Sequence, residues 1–191
     1  MSEEIILRHC APTLARIKTA SLFTCKVKDY EELAHDLRKF NKQFVKKGLR
    51  ILPLRYKDGR ALIYVYRPYL LSRDLEHSYA RKLLQSLGYA PASAGLSVAK
   101  LKSRLNETEQ FPHEIGLFLG YPPEDVKGFI EDGSRNYKCK GCWKVYSDEE
   151  KAQRLFEKYR KCTSVYIDKW YGGRSFDKNF IRHVFKKSIY L

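Results

Sequence analysis

Apolar residues recur with helical spacing along residues 30–47, where Leu33, Leu37, Phe40 and Phe44 share one face. Arg38, Lys39, Lys42, Lys46 and Lys47 cover the opposite face, and Gly48 supplies a stop. On either side the pattern changes. Residues 18–27 (KTASLFTCKV) read as an extended segment. Residues 49–56 and 61–67 read as a hairpin turning on Asp58-Gly59, a pair that tolerates positive φ at both central positions. Its second arm, ALIYVYR, is rich in β-branched and aromatic residues and is closed by Pro68.

Helices are predicted over residues 73–87, ending at Gly88, and over 96–105. Pro112 and Pro122-Pro123 suit the first turns of two short helices near 113–119 and 123–131. A strand follows at 142–146, then a helix at 148–161 striped by Ala152, Leu155, Phe156 and Tyr159. Residues 165–167 read as a strand, followed by a break at Gly172-Gly173 and a terminal helix. This order predicts an α+β fold with one domain over residues 1–191. About four strands would form a small mixed or antiparallel sheet with a β-α-β-β-α start resembling a split βαβ unit. A helical insertion would occupy about 91–135 and a C-terminal tail about 164–191.

With 43% apolar residues, 14 Tyr and 10 Phe, the composition can build a core and is far from that of a disordered chain. The net charge of +15 is unevenly placed, with +7 over residues 1–60, −1 over 61–134 and +9 over 135–191. Two basic ends flanking a neutral middle favour an acidic partner, either nucleic acid or an acidic protein. The opening MSEEIILRHC does not read as a signal peptide, and the longest apolar run, residues 61–66, is only strand length, so neither a leader nor a membrane span is expected. Five cysteines without an export signal fit reduced thiols in the cytoplasm. These residues specify neither a cofactor nor an oligomeric state.

Several chemistries lack their motifs: GxGxxG, GxxxxGK[ST] and GxSxG are absent, and His113-Glu114 has Leu117 where a zinc-protease helix needs a second histidine. Cys10 stands just before Pro12, so if Pro12 opens a helix the helix field would favour the thiolate. His113, near a helix start, suits a general base, and a Cys10/His113 pair would make a thiol-dependent site. His9 and Glu114 are weaker members, because side chains of consecutive residues diverge. A buried, inert thiol and a histidine bonded locally are the plainer alternatives. Cys139-Lys140-Gly141-Cys142 is the one CxxC, a weak metal candidate with only Cys162, His183 or His113 to complete it. Lys18, Lys140, Lys144 and Arg174 are candidate anion contacts. Two basic–aromatic clusters, around Tyr137–Tyr146 and around Lys169, Trp170, Tyr171 and Arg174, could stack bases, although aromatics on strands are more often core.

Four stretches carry a resemblance: HCAPTLARIKTASLF (9–23), ILPLRYKDGRALIYVYRP (51–68), FPHEIGLFLGYPPEDVKGFI (111–130) and WKVY (143–146). Together they resemble the bacterial domain-of-unknown-function family 3793 of anaerobic Firmicutes, over nearly the whole chain. The resemblance implies a bacterial cytosolic protein of one domain and carries no catalytic residue, ligand or activity. It also implies gene neighbours of the flavodoxin or iron-related kind, which would give the basic surface an acidic redox partner such as a flavodoxin. In that family the position of Cys142 often holds another residue, which weighs against a metal at the CxxC.

Overall fold

The computed structural model describes residues 3–90, 93–107 and 110–172. It opens with helix α1 (Glu3–Leu14), then strand β1 (Ala20–Lys26), helix α2 (Tyr30–Phe44), and strands β2 (Arg50–Lys57) and β3 (Arg60–Tyr66). Helices α3 (Pro68–Leu75), α4 (Ser78–Ser86), α5 (Ala94–Glu107), α6 (Ile115–Phe118) and α7 (Pro123–Asp132) follow. The two-residue strands β4 (Cys139–Lys140) and β5 (Lys144–Val145) precede the long helix α8 (Glu149–Tyr171).

The sheet order is β1-β3-β2, with both outer strands antiparallel to β3. β1 and β2 are therefore parallel to one another with β3 between them, which is the split βαβ arrangement expected from the element order. The β2–β3 turn is as predicted: Asp58 and Gly59 both take positive φ, at 51° and 66°. Asp29 caps α2 by accepting from the Glu31 amide, and Gly48, at φ 74°, ends the short 3-10 turn that follows.

Alternation along β3 divides the core in two. Ala61, Ile63 and Val65 face α1 and α2, meeting Leu7, Cys10, Leu14, Leu37 and Phe44. Tyr64 and Tyr66 face the other way, toward Leu71, Leu84, Leu101 and Phe118 of the helices that follow the sheet. A third, smaller cluster joins Trp143 and Val145 to Ala152, Phe156 and Tyr159 of α8.

Two polar devices brace this frame. Arg67, 4% exposed, donates to the carbonyls of Thr13 (2.7 Å), Leu14 (2.7 Å), Lys47 (3.2 Å) and Gly48 (3.4 Å). It thus satisfies the orphan carbonyls where α1 and the 3-10 turn end. Burial, with the nearby charge of Arg16, draws its pKa down to about 10. On the outer side of β2, the Asn41 amide donates to Ile51 O (2.7 Å) and accepts from Ile51 N (2.9 Å), and Asn106 donates to Leu54 O (2.8 Å).

Several expectations are corrected. Residues 3–14 form a helix that contains Pro12 near its end, because Leu7, Cys10, Ala11 and Leu14 make a buried stripe that outweighs the lost amide. The helix expected over 73–87 is two helices, and Pro68 starts the first rather than merely ending β3. Among the described residues the main sheet has three strands where about four were expected, since residues 142–146 contribute only a separate two-residue ladder with β4. Residues 165–167 are helical, because the stripe of Phe156, Tyr159 and Cys162 continues to Tyr166, which is buried against the first core. The Gly173 break, the terminal helix, His183 and Arg174 lie outside the described residues.

Candidate functional site

The geometry gives the thiol–histidine reading no support. Cys10 lies in the second half of α1, two residues before Pro12, and not ahead of a helix start. It is 0% exposed, and burial pushes its thiol up to about 12, although Lys18 and Ser21 pull the other way. His113 is exposed in the turn before α6, its ring edge-on to Phe129 at 5.0 Å. Ile115 beside it belongs to the core on the other side of the sheet from Cys10. His9 is exposed and stacks on Phe23 at 5.0 Å, and its pKa is lowered by partial burial and Arg8. Glu114 does not orient a histidine: it is buried, accepting from Arg104 Nε and Tyr89 OH, both at 2.8 Å.

A titration follows from the buried thiol. In the unfolded chain Cys10 ionises from about 9, while the folded thiol holds its proton to about 12. Over that window the unfolded state binds fewer protons, so stability is full below the window and falls as pH rises through it. Urea unfolding between pH 8 and 10.5 should show the wild type losing stability more steeply than Cys10→Ala. The excess slope should rise toward about 1.4 kcal/mol per pH unit. Equal slopes would mean that the thiol ionises alike in both states.

The stretch FPHEIGLFLGYP is mainly a joint between elements. Gly120, at φ 72°, lies where a Cβ would come within 2.7 Å of Thr19. Thr19 in turn donates to Asp74. Tyr121 stacks on Trp143 at 4.8 Å and donates to Cys142 O at 3.2 Å.

These contacts seat the β4–β5 hairpin, and Asp125 fixes it. This carboxylate, 2% exposed, accepts from Trp143 Nε1 at 2.7 Å and from Tyr146 N, Ser147 N and Ser147 Oγ at 2.8 Å each. The turn lies flat on α8, where a Cβ on Gly141 would come within 2.3 Å of the Phe156 ring.

The hairpin separates two concavities. On one side is a pocket of about 350 Å³ lined by Phe111, His113, Tyr121, Phe129, Trp143 and Lys144. Its walls are almost wholly apolar. Lys144 Nζ lies 5.4 Å from the Phe129 ring centroid and 5.3 Å from that of Tyr137. On the other side is an open groove of about 650 Å³ whose charged lining is mixed, Lys140, Arg154 and Arg160 with Glu150 and Glu157, beside Cys142.

The remaining candidates divide between these places. Lys140 lines the groove, Lys144 the pocket, and Lys18 lies half-buried behind the hairpin, 5.5 Å from the Tyr121 ring centroid and 5.8 Å from that of Tyr159. Cys139 and Cys142 face different neighbours, Glu149 and Gln153 for the first, Lys18 and Arg160 for the second. Among the described residues no group of three His, Cys, Asp or Glu side chains converges to hold a metal. The aromatic clusters are only partly open surface: Trp143 is buried and Trp170 packs on the first core. Exposed Tyr171 bonds to Glu4 and Arg8. Asp125, Tyr121, Phe129 and Arg160 were not singled out from the sequence. An acid in the first turn of α7 reads as a helix-dipole complement, and nothing local ties it to Trp143.

Among the described residues no helix is long and apolar enough to cross a membrane. Comparison with curated proteins and with solved structures finds no match to the chain. The family model described as "Protein of unknown function (DUF3793)" matches residues 6–179, and the chain belongs to that family.

Proposed function

We propose that the protein is a binding module that seats a flat aromatic group bearing a negative charge in the pocket between α6, α7 and the β4–β5 hairpin. The observation that carries this reading is the pocket itself. A cavity of about 350 Å³ is walled by the rings of Phe111, Tyr121, Phe129 and Trp143, with Lys144 as the cation within it. Such a cavity gains from burying an aromatic face, and the ammonium selects an acid over a neutral analogue. His113 offers a second polar contact at the same wall. The net charge of +15 supports, as a second reading, docking on an acidic protein, in which case binding should weaken steeply with salt.

The test uses 1-naphthoate and the fluorescence of Trp143 in a Trp170→Phe background, which leaves one tryptophan of the two. Saturable quenching is expected. Phe129→Ala should weaken it about tenfold through the loss of one ring contact. Lys144→Gln should weaken naphthoate while sparing 2-naphthalenemethanol. Linear quenching that both substitutions leave unchanged would overturn the proposal.

A further inference from the structure

Strand β2 carries one extra residue. Its register against β3 passes from Pro53 opposite Ile63 directly to Arg55 opposite Leu62, so Leu54 is a bulge, and Asn106 holds its carbonyl. Beyond the bulge the two faces of the strand are exchanged. Tyr56 pairs with Ala61 and falls on the side of α2, where its ring lies 5.2 Å from that of Tyr30. Arg55 and Lys57 fall on the opposite face, beside Leu62 and Arg60. On the last rung Lys57, Arg60 and Lys26 stand side by side across all three strands. Like charges in directly paired positions repel, and among the described residues none of these three makes an ion pair. An open groove of about 450 Å³ leads up to this rung, with Tyr30, Tyr56, Arg55, Lys102 and Asn106 along it. Among the described residues no acid lines the groove. Of the acids next to these residues in sequence, Asp29 caps α2 and Glu107 accepts from Ser103, while Glu31 and Asp58 are exposed. Cations are thus in clear excess, and Tyr30 and Tyr56 keep 40% and 42% of their surface in water beside them.

We propose that this end of the sheet binds single-stranded nucleic acid, its phosphates following Lys102, Arg55, Lys57, Arg60 and Lys26 and a base laid against the Tyr30–Tyr56 pair. Charge complementarity calls for a polyanion, and exposed rings beside the cations favour a strand with free bases over an acidic polypeptide. A phosphate chain shared along the rung turns the mutual repulsion of its cations into attraction for the ligand. The bulge is what makes the combination possible, since without it Tyr56 would take the other face and Arg55 and Lys57 the side of α2. The surface stands apart from the aromatic pocket, because the two share no lining residue.

The full chain is titrated into a fluorescein-labelled oligothymidylate of about twelve nucleotides and followed by anisotropy. Saturable binding is expected. Its log affinity should fall against log salt with a slope of about −2 to −3, which is about −0.7 for each of three or four phosphates. Lys57→Gln/Arg60→Gln, at two exposed positions, should flatten that slope by about 1.4 and weaken binding about tenfold or more. Tyr56→Ala should weaken binding about tenfold with the slope unchanged, because a stacked base releases no counterion. Lys42→Gln/Lys46→Gln removes the same charge from the far end of α2 and the turn after it, and should change little. Poly-glutamate at equal charge concentration represents an acidic protein partner and should displace the oligonucleotide poorly. The proposal is overturned by any of four results: no saturable binding, equal losses from the two double variants, full affinity in Tyr56→Ala, or displacement by poly-glutamate as effective as that by unlabelled oligonucleotide.

Discussion

Replacing Asp125 with alanine should destabilise the protein by about 3–5 kcal/mol and undo both concavities at once. The carboxylate accepts from an indole, two backbone amides and a hydroxyl, all on the hairpin side. Alanine leaves these donors without acceptors in a place that water does not reach freely. The melting temperature should fall by about 10–15 °C for a chain of this size. Trp143 emission should shift to the red below the melting transition, because its indole loses both its partner and its seat under Tyr121. Asp125→Asn should be intermediate, since the amide keeps one acceptor oxygen but turns an NH₂ toward a donor. If Asp125→Ala melts normally with unshifted emission, the hairpin is held by ring packing alone.

Arg67→Ala is the second substitution expected to have a large effect, again about 3–5 kcal/mol. Its guanidinium spans the ends of α1 and of the 3-10 turn after α2, so one side chain ties both helices to the end of β3. Arg67→Lys should recover only part of the loss, because one ammonium cannot reach four carbonyls arranged for a planar fork. Hydrogen exchange should show amides near Leu14 and Gly48 losing protection together. Loss at only one of the two ends would mean that the arginine is not the shared tie.

The sequence foretold most of the elements in which local chemistry and long-range burial agree. α2 carries its stripe, cap and stop within its own residues, and the β2–β3 hairpin is dictated by Asp58-Gly59. α1 was misread because Pro12 suits a first helical turn, while the buried stripe from Leu7 to Leu14 asks for a helix running through it. That misreading also created the apparent thiolate at Cys10. The far part of α8 was misread for a similar reason. Thr163 and Val165 have strand propensity, but a helix already capped at Asp148 gains more by burying Tyr166. The candidate sites were least legible. FPHEIGLFLGYP stood out by its resemblance, yet most of its polar chemistry proved to be joinery: Glu114 meets Arg104, and Gly120 meets Thr19. The groups that shape the pocket and groove come together only when the hairpin folds onto α7 and α8, and spacing along the chain cannot show that.

The side-chain amides along β2 also limit how the protein can aggregate. Donor-strand exchange and fibril-like stacking begin when a foreign strand finds a row of vacant backbone groups. Along β2 such a strand would find both groups of Ile51 occupied by Asn41, no N–H at Pro53, and the carbonyl of Leu54 held by Asn106. Two asparagines and a proline thus shield that margin of the sheet in a crowded solution. The same shielding closes it to any partner that recruits by lending a strand.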